Sequence, residues 1–456
     1  MQSGISTWRL PTKLWRVPPP LPATTPPPPG TLPWASRPLL GSQRRRTAGT
    51  FWTTWRAFPA PANRPQRRAV YTRARTPLAN SRTQCVIPGR RVMPSHTLYP
   101  SLEALLQPAT LAALTGSPVE AVTVEPFKTI DSLSGSRFLR VLLDGDPARA
   151  HVVKRIAHDR DWLMRATGDR IGRSALAWET GLYDDTPPEI DAVVVACSND
   201  DAGGGRALLM RDIAPHLVPA GDAPISVAEN DIFLGAMAAL HATFWNQSAR
   251  AAAELGFITP EQVYHAFSPE TGRREAEGED AIPKAIAAGW ELLPELVGAD
   301  VRSIVEPLLE DPRPLTTALA PYRVTVVHSD WKLGNLGIIR HTGAPPQVVL
   351  LDWDRVCAGQ PGLDLGWYLA VNSARLPVSK EAVITGYRAH LEARLAQPLD
   401  DAWWQAQLEL SLLGAFLQLG WPKLLGAASP DPSTAARERA ELDWWTSWVL
   451  AGAARL

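Results

Sequence analysis

The sequence predicts an α+β protein in which a small antiparallel sheet comes first and a larger, mainly helical part follows. Between residues 121 and 210, apolar residues fall in short runs bounded by turn residues, which is typical of strands. From residue 227 onward, apolar residues recur every three or four positions, which is typical of helices packed on a core. A third observation, the proline-rich composition of residues 1–92, predicts a disordered extension ahead of both parts.

The extension differs from the rest of the chain in charge and composition. Residues 1–92 carry sixteen Lys and Arg and sixteen Pro, but no Asp or Glu. Proline removes backbone donors and resists helix formation, so we expect disorder with stretches of polyproline II. Residues 93–456 hold all forty-six acidic residues against thirty basic ones. An acidic body of this kind argues against nucleic-acid binding by the folded part.

Four explanations of the extension stay open. It could be an organellar transit peptide, because it is basic, lacks acids and contains Arg and Ser. It could be a tail that binds anionic partners or proline-recognition domains, or it could be a spacer. We favour a fourth explanation, that it is not expressed and that Met93 is the true start, because normal composition begins at this methionine.

Cysteine usage and hydropathy indicate the compartment. Cys85, Cys197 and Cys357 lie far apart, without a Cys-x-x-Cys pair. This pattern predicts a reducing compartment, which we take to be the cytoplasm, and it supports neither a disulfide framework nor a zinc site. The sequence contains no run of eighteen apolar residues, so we expect no membrane-spanning segment.

The first part is expected to contain a helical lead-in, five strands and one further helix. The lead-in covers residues 102–114 and is interrupted at Pro108. The further helix covers residues 175–183, so Asp184 and Asp185 are expected beyond its end. The strands are expected, in order, over residues 121–127, 138–143, 151–156, 192–196 and 207–210.

Two features of this first part bear on phosphate binding. Ser134, Gly135 and Ser136 lie between the first two strands, where small residues let backbone amides approach phosphate groups. The same residue types also serve an ordinary hairpin turn, so both interpretations of this loop stay open. Lys154 lies on the third strand, where alternation points its side chain away from the face of its two neighbours.

The most informative motif lies in the second part. An apolar run ends in His328-Ser329-Asp330, and Asn335 follows five residues after Asp330. A second apolar run ends in Asp352, seventeen residues after Asn335. A kinase needs such a set, because one carboxylate orients and deprotonates a hydroxyl while an amide and a second carboxylate hold the Mg²⁺ that neutralises ATP phosphates. The alternative is that Asp330 and Asn335 only cap a turn.

This series of residues resembles the catalytic loop and the metal-binding acid of the aminoglycoside phosphotransferase family, which has a bilobal protein-kinase-like fold. Two further segments, residues 240–245 and 361–367, strengthen the resemblance, which covers roughly residues 100 to 450. It implies ATP and Mg²⁺ as cofactors. It implies Asp330 as the catalytic base and Asn335 and Asp352 as the Mg²⁺ ligands.

The resemblance also implies two lobes, a nucleotide-binding lobe over residues 93–213 and a catalytic and acceptor-binding lobe over residues 214–456. In the first lobe, Lys154 would contact the α- and β-phosphates and pair with a helix acid. Glu179 is the best candidate for that acid, and the alternative is that it is a solvated surface residue. The loop Ser134-Gly135-Ser136 would cover the phosphates. Adenine would bind the backbone after the last strand, at Met210, Asp212 and Ile213.

Residues around the motif carry further expectations. The resemblance implies that Asp364, at the start of a helix, hydrogen-bonds the backbone of the catalytic loop, and that His328 orients that loop. Lys332 departs from the usual family pattern, and it would either stabilise transition-state charge or be a solvated lysine. We expect Asp354 to be a turn acid rather than a metal contact. His241 is expected to be a hydrogen-bonded core histidine.

The sequence therefore predicts transfer of the ATP γ-phosphoryl group to a hydroxyl of a small molecule, either aminoglycoside-like or a metabolite. The acidic second lobe would suit a cationic acceptor. Aromatic residues at helical spacing could line the acceptor pocket, although such residues are more often core: Trp403, Trp404, Trp421, Trp444, Trp445 and Trp448.

Three other functions stay open. The first is a nucleotide-binding regulator without transferase activity, against which the presence of Asp330, Asn335 and Asp352 argues. The second is a protein kinase, but we find neither a G-x-G-x-x-G loop nor an Ala-Pro-Glu signature. The third is a binding module that acts through the basic extension.

Overall fold

The computed structural model describes residues 96–127, 134–200, 204–246 and 249–456. The extension of residues 1–92, Met93 and the loop residues 131–133 lie outside these ranges. The expected disorder of the extension and its four explanations therefore stay predictions.

A five-stranded antiparallel sheet forms in the first part of the chain, as predicted. Its strands run in the spatial order β1-β2-β3-β6-β5, so β3 lies in the middle. On β3, Lys154 lies opposite Phe138 and Leu208. The bounds are β1 Val122–Phe127, β2 Arg137–Leu143, β3 Asp146–Ile156, β4 Ile190–Asp191, β5 Val194–Asp200 and β6 Gly205–Arg211, of which the short β4 joins another sheet.

The helices of this sheet region, residues 96–213, match the prediction in the lead-in but differ from it later, where α3 was not predicted and one predicted helix is divided. The lead-in divides before Pro108, as expected, but the helix predicted over residues 175–183 breaks at Gly181, whose φ of +76° is a left-handed conformation. Asp184 and Asp185 therefore lie in a short helix rather than beyond one. The bounds are α1 Leu102–Leu105, α2 Pro108–Thr115, α3 Trp162–Ala166, α4 Arg173–Glu179 and α5 Leu182–Asp185.

The helical region, residues 214–456, is built around α6 and two long helices near the carboxyl end. α6 begins at a capping box, in which Ser226 and Glu229 each bond the other's backbone amide. The bounds are α6 Val227–Thr243, α7 Ala249–Leu255, α8 Pro260–His265, α9 Pro269–Glu275, α10 Ala281–Glu291, α11 Leu293–Leu296, α12 Ala299–Glu310, α13 Arg313–Leu319, α14 Gly362–Val371, α15 Lys380–Leu395, α16 Asp401–Ala427 and α17 Pro432–Ala453.

Two small sheets position the polar motif. In the first, β7 (Thr325–Val327) pairs antiparallel with β10 (Cys357–Gly359). In the second, β9 (Gln347–Leu350) pairs with β8 (Leu336–Ile339) and with β4 of the sheet region. The Leu351 amide then donates to the Asn335 carbonyl at 3.0 Å. Because these contacts join the chain after β7 to the chain after β9, the two halves of the motif become neighbours.

Two hydrophobic cores support these elements. The smaller core packs the five-stranded sheet against α4, with Val153 and Leu209 fully buried and Trp178 against them. The larger core joins α6, α14 and α16. No helix within the described ranges is long and apolar enough to cross a membrane. The boundary between lobes at residue 213 stays a prediction, whereas the α+β order of sheet and helices is confirmed.

Candidate active site

The Asp330 loop, residues 328–335, begins where β7 ends. Val327 is fully buried in the larger core, and the chain then turns at Ser329, whose φ is +63°. A non-glycine residue in this conformation is uncommon and is found where surrounding contacts hold it. A single turn of 3₁₀ helix, Leu333–Asn335, ends the loop. The loop therefore brings Asp330 and Asn335 to the same side of the chain.

Asp364 makes the hydrogen bonds with this loop that the resemblance implies. It lies in the first turn of α14, and its two carboxylate oxygens accept from the amides of His328 at 2.8 Å and Ser329 at 2.6 Å. The ring of His241 lies with Nε2 3.1 Å from Asp364 and Nδ1 2.5 Å from the hydroxyl of Tyr387. His241 is thus the hydrogen-bonded core residue that we expected.

His328 contacts the loop from a fully buried position. Burial lowers the pKa of His328, although the carboxylates of Asp364 and Asp330 oppose this effect. The imidazole is therefore neutral near pH 7, and its Nδ1 accepts a hydrogen bond from the Asp330 amide at 3.2 Å. The ring also packs edge-on against Trp331 and Trp353. These contacts hold the backbone of Asp330 rather than its carboxylate.

The two oxygens of the Asp330 carboxylate have different surroundings. Oδ2 accepts from Nδ2 of Asn335 at 2.9 Å and lies 2.9 Å from Nζ of Lys332. Asn335 also donates to the Asp330 carbonyl at 3.0 Å, so its amide nitrogen is fully occupied by the loop. Oδ1 is buried without a hydrogen-bond partner in the described structure. One oxygen is held by hydrogen bonding and by an ammonium, and the other has neither contact within the described residues.

Lys154 contacts two acids that follow β9. Its ammonium contacts the carboxylates of Asp352 and Asp354. Burial alone would lower the pKa of Lys154, but these two carboxylates outweigh burial and raise it. Burial alone would raise the pKa of Asp352, but the charges of Lys154 and Lys332 hold it well below its usual range. Asp354 lies in the 3₁₀ turn Trp353–Arg355, as expected of a turn acid, but its carboxylate also contacts Lys154, which we did not predict.

Glu179 does not come together with Lys154. It is the last residue of α4, five positions after Ser174, so the two side chains point about 140° apart around the helix. Ser174 is the residue of α4 that reaches the site, where its hydroxyl donates to Asp354. Burial raises the pKa of Glu179, and its opposing charge is Arg206 rather than a lysine. The expected pair is therefore replaced by Lys154 with Asp352 and Asp354.

The loop at Ser134-Gly135-Ser136 is held against the start of α3. The hydroxyls of Ser134 and Ser136 donate to Oδ2 of Asp161 at 2.7 and 3.3 Å, and the Trp162 amide donates to the Ser134 carbonyl at 3.0 Å. Asp161 also caps α3. We did not predict this residue, although an Asp before a helical apolar run is a recognisable N-cap signal.

The strand β6 leads into a cleft between the two regions. Met210, Asp212 and Ile213 line this cleft, together with Ser134, Ser136, Lys154, Asp330, Lys332, Asn335 and Asp352. The Asp212 amide already donates to the Ala150 carbonyl at 3.2 Å. A base bound beside β6 would therefore use other backbone groups of this segment.

Aromatic residues form another wall of the same cleft. Trp162, Phe267 and Trp367 lie in contact, with ring centroids 5.8 Å and 5.5 Å apart in the two successive pairs. The six tryptophans proposed from the sequence are not in this wall. Trp404, Trp421 and Trp445 are buried in the larger core, and Trp403, Trp444 and Trp448 pack against it. The alternative that these six belong to the core is confirmed.

Residues 130–405 match the sequence profile described as the phosphotransferase enzyme family. The match covers more than half of the chain and includes the Asp330 loop, Lys154 and Asp352. The chain therefore belongs to this family and is a phosphotransferase, in agreement with the resemblance of its motifs. Its fold is the protein-kinase-like fold of that family. No curated protein has a sequence that matches the chain.

Solved structures of similar fold are distant in sequence. A microcompartment-associated aminopropanol kinase is 16% identical, and the alignment covers 76% of this chain and 97% of that one with a TM-score of 0.43. The GDP complex of aminoglycoside 2'-phosphotransferase-IIIa is 12% identical over 74% and 97%, with a TM-score of 0.39. A choline kinase from Streptococcus pneumoniae is 12% identical over 74% and 96%, with a TM-score of 0.38.

The side-chain oxygens of Asn335 and Asp352 are of the type that binds a magnesium ion whose other ligands are phosphate and water. Among the described residues, no three His, Cys, Asp or Glu side chains form a ready-made metal group. Mg²⁺ in nucleotide sites commonly takes only one or two protein carboxylates, and phosphate and water supply its other ligands. Because the amide nitrogen of Asn335 is directed at Asp330, its oxygen remains available. Asp352 already faces a positive charge, the ammonium of Lys154.

Proposed function

We propose that this phosphotransferase moves the γ-phosphoryl group of ATP to a hydroxyl of a small molecule, with Asp330 as the base. The observation that carries this proposal is the unequal surroundings of the Asp330 carboxylate. Oδ2 is held by Asn335 and Lys332, while Oδ1 is buried without a donor, in a residue that lines the cleft. A buried oxygen that accepts no hydrogen bond costs free energy. The hydroxyl of a bound substrate would recover this free energy by donating to it.

In the proposed step, the acceptor hydroxyl donates its proton to Oδ1 of Asp330 while its oxygen attacks the γ-phosphorus. The bond from this phosphorus to the bridging oxygen breaks, and ADP leaves with the electron pair. Lys332 adds positive charge beside the transferred group, where negative charge develops. Burial would lower the pKa of Lys332, but the carboxylates of Asp330 and Asp352 raise it, so the side chain stays charged.

Asn335 and Asp352 would hold Mg²⁺, and Lys154 would position the phosphates. The ion, when bound, would neutralise charge on the phosphate oxygens. Lys154 lies on the middle strand of the sheet and contacts Asp352, so the two groups are neighbours in the lining of the cleft. The Ser134-Gly135-Ser136 loop and the backbone at Met210, Asp212 and Ile213 would contact the nucleotide from the sheet region. Glu179 has no part in this proposal.

The walls of the cleft favour a small acceptor over a protein substrate. Asp330 is only 7% exposed, and it shares the cleft with the aromatic wall of Trp162, Phe267 and Trp367. A protein substrate would have to bring an extended segment to this buried carboxylate. A compact alcohol could reach Asp330 without an extended segment of this kind.

The free thiols support a reducing location for the enzyme, such as the cytoplasm. Cys197 and Cys357 are both free and buried. Burial raises the pKa of each thiol, so neither is a reactive thiolate near pH 7. Fractionation of cells that express the tagged chain would test this location, and recovery in an organelle would favour the transit-peptide explanation of residues 1–92.

The test compares the full chain with Asp330→Asn and with the surface control Asp300→Asn, which lies in the first turn of α12. ADP formation is measured over a panel of alcohols, and thermal unfolding is measured with and without ATP and Mg²⁺. We expect Asp330→Asn to lower turnover by about 10²–10⁴-fold, as for loss of a general base. The rise in melting temperature with nucleotide should persist, because the ligand stabilises the native state.

Each outcome has a separate meaning. Turnover by Asp330→Asn at the rate of the control would contradict the role of Asp330. A nucleotide-induced rise without turnover of any alcohol by the natural sequence would favour the regulator. No rise in a folded protein, with ATP or with GTP, would remove the nucleotide site from the proposal.

A further inference from the structure

Arg355 is a buried cation at the aromatic wall of the cleft. It follows Asp354 in the turn after β9, and it is only 2% exposed. Its guanidinium lies 4.1 Å from the ring centroid of Trp367 and 4.9 Å from that of Phe267. Rings of this kind attract a cation through their faces, and they leave the edge of the guanidinium available to hydrogen-bond acceptors.

The hydrogen-bonding capacity of Arg355 is largely unused. Nη2 donates to Oε1 of Gln418 at 2.6 Å. Nε and Nη1 are buried without a partner in the described structure. Asp330 and Asp364 attract the guanidinium through space, but neither is in ion-pair contact with it. A buried charge whose donors make no hydrogen bonds costs folding free energy. We therefore expect a ligand or ordered water to accept from the free donors of Arg355.

The other cations that line the cleft are paired. Lys154 contacts Asp352, Lys332 contacts Asp330, and Arg211 contacts Asp191. Arg355 differs from these three because no described carboxylate contacts it. Burial lowers its pKa to about 10, so it still carries its charge near pH 7. The cleft therefore contains a positive charge with no contacting counter-charge.

We propose that Arg355 binds an anionic group of the acceptor, so that the natural acceptor carries both a hydroxyl and a carboxylate or another oxyacid group. This inference rests on the proposed function and adds the class of its substrate. The hydroxyl donates to Asp330, and the anion accepts from Nε and Nη1 of Arg355. The flat walls formed by Trp367 and Phe267 suit a planar or apolar body between the two groups.

Placement separates this subsite from the nucleotide. In the described structure, the Arg355 side chain contacts Phe267, Trp367 and Gln418, all in the helical region. The groups proposed to contact ATP itself come from β3, from β6 and the residues after it, and from the loop between β1 and β2, all in the sheet region. Asp330 and Arg355 line the same cleft and attract each other through space, so one acceptor that spans the two side chains would contact both. The inferred charge is opposite to the cationic acceptor that the acidic composition suggested.

The experiment uses three matched alcohols, 4-(hydroxymethyl)benzoate, its amide and 4-(hydroxymethyl)benzylamine, which differ only in carrying a negative, neutral or positive group. Binding to the full chain is measured by calorimetry with ADP and Mg²⁺ present, and turnover is measured with ATP. We expect the carboxylate to bind at least about tenfold more tightly than the amide, and the amine to bind weakest. A fourth ligand, 4-(hydroxymethyl)phenyl phosphate, keeps the free hydroxyl and carries phosphate in place of the carboxylate, so that it distinguishes a carboxylate subsite from a phosphate subsite.

Arg355→Met should remove the preference for the anion, because it keeps an apolar side chain of similar length without the charge. Arg355→Lys should restore part of the preference, since it returns the charge without the planar fork. Nucleotide-induced stabilisation shows whether each variant is folded with an intact ATP site. If the natural sequence binds the three ligands equally, or prefers the amine, the inference is overturned while the proposed transferase function stands. If a folded Arg355→Met variant still prefers the anion, the inference is also overturned. Ordered water would then be the partner of the Arg355 donors.

Discussion

The ammonium of Lys154 contacts the carboxylate of Asp352, although the two residues are 198 positions apart in the sequence. This contact joins the middle strand of the five-stranded sheet to the turn after β9. Asp354 contacts the same ammonium, so one lysine balances two acids. The charge arrangement of the cleft therefore depends on Lys154 before any nucleotide binds.

Lys154→Met should both destabilise the protein and impair nucleotide use. The substitution leaves Asp352 and Asp354 without their shared cation, which should lower the free energy of unfolding by about 2 kcal/mol. This is less than the 3–5 kcal/mol typical of a fully buried pair, because Asp352 is partly exposed. kcat/KM should fall about a hundredfold or more, since the phosphates lose a positioning charge. Urea unfolding and steady-state kinetics measure the two effects.

Lys284→Met is the matched control, because Lys284 lies exposed on α10 and has the same side chain to lose. Its stability and kinetics should match those of the natural sequence. Wild-type kinetics in Lys154→Met would show that Lys154 is a structural cation only.

Gly135→Ala should weaken nucleotide binding through a backbone clash. Gly135 has a φ of +109°, and a Cβ at this position would lie 2.1 Å from the Arg160 carbonyl oxygen. The loop would have to leave the Asp161 contact, so we expect the KM for ATP to rise by about tenfold, as for the loss of about one hydrogen bond. Gly145→Ala is the control, because its φ is +67° and its Cβ would meet no atom within 4 Å. Equal KM values for ATP in the two variants would show that this loop does not contribute to nucleotide binding.

Glu441→Gln should destabilise the protein near neutral pH and much less in acid. Glu441 on α17 lies between Lys380 on α15 and Lys423 on α16, with Lys423 at 3.4 Å. Burial alone would raise the pKa of Glu441, but the two lysines outweigh it and lower the pKa below the usual 4.5. Because the folded-state pKa is lowered, this stabilisation is present above about pH 4.5 and is lost as the pH falls through the folded-state value.

We therefore expect the variant to lose about 2 kcal/mol of unfolding free energy at pH 7, as when one partner of a largely buried ion pair is removed. The difference from the natural sequence should narrow as the pH is lowered from 5 to 3. Urea titrations across this pH range measure it, with the exposed Glu295→Gln on α11 as the control. A loss that is constant with pH would show that shape rather than charge is responsible.

Local patterns in the sequence predicted much of the fold. Strand alternation placed Lys154 on a strand, and the apolar runs before Asp330 and Asp352 are short strands that end where the polar residues begin. These predictions succeeded because each depends on residues adjacent in sequence. The Asp364 contacts followed from the resemblance, since its place at the start of a helix could be recognised in the motif.

Other features could not be predicted because they depend on packing between distant segments. The break at Gly181 requires a left-handed backbone, whereas the apolar spacing around it continues as in a helix. The partners of Lys154 lie in the turn after β9. Glu179, at the end of α4, does not contact this lysine. The aromatic wall joins Trp162, Phe267 and Trp367 from three separate elements, and no local spacing links them.

The buried contacts of Asp364 bear on how an enzyme of this architecture can evolve. Asp364 and His241 hold the Asp330 loop from fully buried positions in the core. The side chains beside Arg355 come from other elements, and none of the loop's hydrogen bonds passes through them. If that wall binds the acceptor, as we propose, mutations in it would change which alcohol is accepted while the reaction itself persists, so that one ancestral scaffold could give rise to enzymes of different substrate preference.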